Sequence, residues 1–181
     1  MPSMASVSIG IAPIAETLAR VAVADQAGYK RIKLKVAQGH DIALLKAVRG
    51  DFPDVKLTVD ANTAYGLADL ATLRAMDAFN LDYIEQPLAV DDIHDHAIVQ
   101  RALNTAICLD ESIRTAADCR KALAAEGLRE FPAGAIPGQV PGEAGVPAYP
   151  ALVDQGETAA LKIFADRHEA LEQHPLGVRR L

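Results

Sequence analysis

Arg31-Ile32-Lys33-Leu34-Lys35-Val36 alternates basic and aliphatic side chains with a period of two, the pattern of a short β-strand. The alternation sends Lys33 and Lys35 to one face and Ile32, Leu34 and Val36 to the other. Similar short runs lie on either side: Val7-Ser8-Ile9-Gly10 before it, and Lys56-Leu57-Thr58-Val59-Asp60, Asp82-Tyr83-Ile84-Glu85 and Ile107-Cys108-Leu109-Asp110 after it. Between the runs, 13–28, 41–50, 66–79, 91–103 and 115–126 carry apolar residues every three or four positions, as at Leu67, Leu70, Leu73 and Met76. Gly28, Gly50 and Gly127 stand where helices should stop, and Asp91 and Thr115 where two should start. Short strands alternating with helices predict an α/β chain of βα units around a parallel sheet.

Lys35, Asp60, Glu85 and Asp110 follow one another at intervals of 25 residues, each at the end of a predicted strand. One βα unit of a parallel β/α barrel takes roughly 25–30 residues, so the interval predicts four side chains at one height on consecutive strands, at the C-terminal face where such barrels build their sites. Neighbouring strands lie about 4.8 Å apart, close enough for three carboxylates to converge on one ion. Oxygen ligands without His or Cys favour Mg²⁺, with Mn²⁺ as the alternative, over zinc. Each carboxylate alone reads equally well as a helix cap or a solvated loop residue. Lys33 and Lys35 read either as lysines turned into a barrel mouth, where burial is costly unless they are used, or as solvent-facing lysines of an edge strand.

Ile32-Lys33-Leu34-Lys35, Val59-Asp60-Ala61-Asn62, Tyr83-Ile84-Glu85-Gln86-Pro87-Leu88 and Cys108-Leu109-Asp110-Glu111-Ser112-Ile113 resemble, in order and spacing, the barrel of the enolase superfamily. Within it the chain is most similar to the muconate-lactonizing subgroup and its o-succinylbenzoate synthase/N-acylamino acid racemase family, over about residues 5–127. The resemblance implies that Asp60, Glu85 and Asp110 bind Mg²⁺, that Lys35 is the acid/base and that Lys33 helps tune it. It also implies a small carboxylate substrate that loses a proton α to its carboxylate. Such a proton is very weakly acidic, so its removal needs an electrophile for the developing charge, which a divalent cation supplies. Two positive charges close to Lys35 would disfavour its protonated form. Asn62 and Glu111 read by position as orienting residues behind the ligands, or as ordinary turn and cap residues.

The rest of the sequence departs from that pattern. Residues 128–150 hold five of the ten prolines, Pro132, Pro137, Pro141, Pro147 and Pro150, and no regular element is expected there. Residues 151–172 regain helical spacing through Val153, Ala160, Phe164 and Leu171. Relatives carry a capping domain before the barrel and a second catalytic lysine in a later Pro-Gly segment. Here Ala135-Ile136-Pro137-Gly138 puts Ile136 where that lysine would fall. The residues after 127 are too few for three further units, so the expectation is a partial (β/α)8 barrel over 1–127 and a divergent tail over 128–181. With one identifiable base, chemistry on one face of the substrate is expected, without racemisation. An open half-barrel would leave both sheet edges unpaired and strip inward apolar residues such as Leu34 and Ile84 of their opposite wall. That predicts self-association, or a catalytically inactive remnant or interaction module completed by another chain.

Composition sets the outer limits. The 181 residues are 50% hydrophobic and 23% charged with a formal charge of −6, and the 18 basic residues are scattered, which argues against a nucleic-acid partner. No apolar run approaches the roughly 20 residues that span a bilayer, so no membrane partner is expected. Two cysteines, Cys108 and Cys119, form no disulfide framework and fit a reducing cytoplasm. His94 and His96 flank acidic residues at a predicted helix start and read as a metal pair or, more simply, a solvated first turn.

Overall fold

The computed structural model describes residues 6–125 and 179–180. The expected Pro/Gly-rich segment at 128–150, the helix at 151–172 and Ile136 lie outside the described residues. Five βα units follow in order: β1 (Val7–Ile9), α1 (Ile14–Gln26), β2 (Ile32–Lys35), α2 (Ile42–Asp51), β3 (Leu57–Asp60), α3 (Leu70–Met76), β4 (Tyr83–Glu85), α4 (Ile93–Ala102), β5 (Ala106–Cys108) and α5 (Ala116–Ala124). One-turn 3₁₀ segments at Leu67–Asp69 and Asp77–Phe79 flank α3, and a short β6 (Arg179–Arg180) ends the described chain.

The sheet runs β5-β4-β3-β2-β1-β6, with β1 to β5 mutually parallel and β6 antiparallel to β1. The β1 edge, expected to be open, is therefore paired, through Val7 with Arg180 and Ser8 with Arg179. β2 lies between β1 and β3, which removes the edge-strand reading of Lys33 and Lys35.

Helices α1 to α5 each touch the next, forming one layer on one face of the sheet. Between helices and sheet lies the core: Val7, Ile9, Ile32, Leu34, Leu57, Val59, Ile84 and Ile107 from the strands, against Val21, Leu44, Leu45, Val48, Leu73, Met76 and Val99 from the helices. Leu34 and Ile84 belong to this layer and are fully buried. The expectation that they face a missing barrel wall is corrected by the same alternation that turns Lys33 and Lys35 the other way.

The helix ends show the local chemistry. Gly28, at φ +83°, follows α1 in the left-handed region that glycine tolerates. Thr115 caps α5, its hydroxyl accepting from the Asp118 amide at 3.2 Å. Gly50, expected to stop α2, lies inside it. The stop comes at Phe52, where the Arg49 guanidinium donates to the carbonyls of Val55, Phe79 and Asn80 at 2.6, 2.6 and 2.9 Å. α4 is capped by Asp92 and not by Asp91, because the Asp92 carbonyl accepts from the His96 amide at 3.0 Å while the Asp91 carboxylate lies out beside Arg114.

Candidate active site

Register puts three of the four predicted polar residues on one rung. Lys35 of β2 is the direct neighbour of Asp60 on β3, and Asp60 is the direct neighbour of Glu85 on β4. The fourth step fails: Glu85 neighbours Cys108, β5 ends there, and Asp110 lies two residues further on. The equal 25-residue spacing therefore gives equal height for Lys35, Asp60 and Glu85, but not for Asp110.

Lys33, Lys35, Asp60 and Glu85 project from the face opposite the helices, toward the C-terminal ends of the strands. Asp60, Glu85 and Lys33 are buried, whereas the Lys35 side chain is 39% exposed against 11% for Lys33. Lys33 Nζ donates to both oxygens of Glu85, at 3.0 and 3.1 Å, and lies 3.7 Å from Asp60 Oδ2. Lys35 Nζ donates to Asp60 Oδ2 at 3.3 Å and to Asn62 Oδ1. Lys33 thus links the two buried carboxylates from within, and Lys35 stands where a ligand can reach it.

The charges act strongly on one another. Burial pulls the Lys33 pKa down, but Glu85 and Asp60 outweigh it and hold this lysine above its ordinary value as a fixed ammonium. Burial pushes Glu85 up, Lys33 pulls it back, and Asp60 and Asp110 add repulsion, leaving it at about 7. Burial is the largest cause of this rise, and repulsion from Asp60 and Asp110 adds to it.

Asn62 and Glu111 are joined to the rung by hydrogen bonds. The Asn62 side chain accepts from Lys35 and donates to Glu111 Oε1 at 3.1 Å, and its backbone N–H donates to Asp60 Oδ1 at 3.1 Å. Glu111 Oε2 is buried without a hydrogen-bond partner. Among the described residues no three His, Cys, Asp or Glu side chains are gathered closely enough to hold a metal ion as they stand. The donor set still fits a hard divalent cation: Asp60 and Glu85 are adjacent on one rung, Asp110 is near enough to raise Glu85, and an unpartnered carboxylate oxygen lies behind them.

Three residues of the site loops hold left-handed backbone without being glycine: Asn62 at φ +42°, Thr63 at +65° and Gln86 at +37°. The β-branched Thr63 is strained there, three residues after Asp60, and Gln86 directly follows Glu85. The reading of His94 and His96 as a solvated first turn holds for His94, which is exposed, and is corrected for His96. His96 is fully buried, accepts from the Leu88 amide through Nε2 at 3.1 Å, and places Nδ1 2.8 Å from the Asp92 carbonyl. Its position on the apolar side of α4, beside Ala97 and Val99, was the signal for burial.

Comparison with known proteins agrees with this geometry. The family of enolase C-terminal domain-like proteins matches residues 15–131. An N-succinylamino acid racemase of Thermus thermophilus is 53% identical over 69% of this chain and 34% of its own. An o-succinylbenzoate synthase of Geobacillus kaustophilus is 54% identical over 65% of this chain and 32% of its own. A solved enolase-superfamily member of unknown function from Enterococcus faecalis, 45% identical, superposes with a TM-score of 0.66 over 71% of this chain and 35% of that one. A racemase from Streptomyces coelicolor solved with bound magnesium, 25% identical, gives 0.61 over 70% and 39%. The chain belongs to the enolase superfamily. Within it, the chain is similar to o-succinylbenzoate synthases and N-succinylamino acid racemases, and it spans about a third of the length of these curated relatives. Among the described residues no helix is long and apolar enough to cross a membrane.

Proposed function

We propose that this chain contributes the cation-and-lysine side of a site that removes a proton α to the carboxylate of a small acid, of the o-succinylbenzoate synthase or N-succinylamino acid racemase type. The observation that carries the reading is the rung Lys35-Asp60-Glu85, with one lysine buried between the carboxylates and the other exposed above them. Asp60, Glu85 and Asp110 would hold Mg²⁺, with Mn²⁺ as a substitute, and the bound ion would offset the negative charge that develops when the α proton leaves. Lys35 takes that proton. Asn62 and Asp60 fix its Nζ, so the amine is aimed and not free to swing. Lys33 stays charged and keeps Asp60 and Glu85 together, which limits the rearrangement needed to bind the ion.

Two measurements test this. Calorimetric titration with Mn²⁺ should show binding to the wild type and a loss of at least about a hundredfold in Asp60→Asn, and equal affinities would remove Asp60 from the ligand set. Incubation of N-succinyl amino acids in D₂O should exchange the α proton in the wild type. Lys35→Ala should slow the exchange by about 10²–10⁴, the usual worth of a general base. Assembly is proposed on separate grounds: among the described residues β5 is the outermost strand at its end of the sheet, so a second copy of the chain can pair there. Sedimentation showing a monomer at all concentrations would refute it.

A further inference from the structure

We propose that Gln86 is a positioning residue that sets Asp110 against Glu85, and that it does so with its side-chain amide where the strand ladder has run out. This rests on the metal-binding reading above and extends it to a residue that contributes no ligand atom.

The Gln86 side chain is fully buried. Its Oε1 accepts from two amides of the loop after β5, Asp110 N at 2.9 Å and Ser112 N at 3.1 Å. Its Nε2 donates to the Leu88 carbonyl at 3.1 Å and to Ser112 Oγ at 2.7 Å. Ser112 Oγ in turn donates to the Val90 carbonyl at 2.7 Å, so every polar atom of the group is used and the amide has one orientation. The Gln86 backbone adds two further ties: its N–H donates to the Cys108 carbonyl at 2.7 Å, and its carbonyl accepts from Thr63 at 2.8 Å. One residue therefore joins the loops that follow β3, β4 and β5.

The arrangement has a specific consequence for Asp110. Asp60 and Glu85 are held at one height by direct pairing of β3 with β4, whereas β5 ends at Cys108. Beyond it, the amides two and four residues on, Asp110 and Ser112, bond to Gln86, the residue that immediately follows Glu85 in sequence. The left-handed conformation of Gln86, at φ +37°, is what turns its side chain back across β5, and its contacts hold that conformation. His96 accepts from the Leu88 amide and so anchors the other end of the same loop. Gln86 thus converts the position of Glu85 into a position for Asp110.

The experiment compares Mn²⁺ affinity by titration with amide exchange at Asp110 and Ser112 in the metal-free full chain. Gln86→Met, of similar length but without donor or acceptor, should weaken Mn²⁺ binding by about tenfold to a hundredfold and speed exchange at both amides. Gln86→Glu retains an oxygen at the same reach and should restore protection of the two amides. Val48→Ala, a core truncation away from the site, should lower the melting temperature yet leave Mn²⁺ affinity within about twofold. That control separates positioning from general loosening. If Gln86→Met does not fold, Ser112→Ala removes one amide-orienting bond and should give the same two changes at smaller size. Unchanged affinity in a folded Gln86→Met, or an equal loss in Val48→Ala, overturns the proposal. Absence of Mn²⁺ binding in the wild type, or equal binding in wild type and Asp60→Asn, overturns the metal reading and the proposal with it. Wild-type binding that Asp60→Asn loses and Gln86→Met keeps overturns the proposal alone.

Discussion

Strands β2, β3 and β4 and strand β5 belong to one backbone-paired sheet, but β5 is braced by buried and capping side chains as well. The first three align residue for residue through backbone pairing, Ile32-Leu57, Leu34-Val59 and Val59-Ile84 among the partners, and this ladder carries Lys35, Asp60 and Glu85 to one height. β5 continues the ladder through Tyr83-Ala106, Ile84-Ile107 and Glu85-Cys108, and is stitched by side chains as well. Asp77 accepts from the amides of Asn104 and Thr105 at 2.9 and 2.8 Å before the strand begins. Buried Gln100 accepts from Ile107 N at 2.7 Å and donates to the Thr105 carbonyl at 3.1 Å, and Gln86 takes over after the strand ends. Repetition of a unit fixes the first region. The second region shares that ladder and adds single polar residues before, along and after the strand.

Breaking the ladder region should cost most. Leu34 is fully buried between sheet and helices, so Leu34→Ala should destabilise the chain by about 3–5 kcal/mol, read as a shift in the urea midpoint. A cost under 1 kcal/mol would mean that the helix layer collapses readily onto the sheet.

The charge on the rung should appear as pH dependence. Glu85 is raised from 4.5 to about 7 in the folded chain, so the folded state holds a proton that the unfolded state has already released between those values. Stability from this group is fully present below about pH 4.5 and falls as pH rises toward 7, with a ceiling on the order of 3 kcal/mol. Glu85→Gln should flatten that part of the metal-free stability profile, and an unchanged slope would place the proton elsewhere. Lys33 runs separately: its raised pKa gives stability that lasts until pH rises above the ordinary lysine range.

Much of the ladder region was legible in the sequence because its signals are periodic. The two-residue alternation of 31–36 gave the facing of Lys33 and Lys35, and the 25-residue interval gave the rung as far as Glu85. The same interval misplaced Asp110, since spacing along the chain says nothing about where a strand stops. Gln86 and Gln100 escaped notice for a related reason. A buried amide or imidazole is worth its burial only when several partners from distant segments converge on it, and no local pattern announces that convergence. His94 and His96 look alike in sequence; helix geometry, by placing only His96 on the buried side, separates them.

Gln100 sharpens the contrast at intermediate size. Gln100→Met keeps the volume but leaves the Ile107 amide and the Thr105 carbonyl without their side-chain partner in a buried place, which should cost about 2–3 kcal/mol. Hydrogen exchange should rise at Ile107 before it rises at Val59. Simultaneous exchange of the two would show that β5 opens only with the whole sheet.

The smallest effect concerns Asp77, at the other end of the same strand. Its carboxylate is held below the usual range although burial acts against it, because Thr105 and the amides of Asn104 and Thr105 bond its charged form. A depressed acid stabilises the fold above its unfolded pKa, and that contribution is lost as pH falls through the lower folded value. Most of this carboxylate is solvated, so the bonds should be worth only about 1 kcal/mol. Asp77→Asn retains one acceptor oxygen for two amides and should lose roughly that amount at pH 7, with the deficit disappearing in acid as the wild-type carboxylate is neutralised. A deficit that stays constant down to low pH would mean that Asp77 acts by shape and not by charge. The entry to β5 would then be set by the fit of the 3₁₀ turn at Asp77–Phe79 against Asn104, with the strand stitched by side chains only from Gln100 onward.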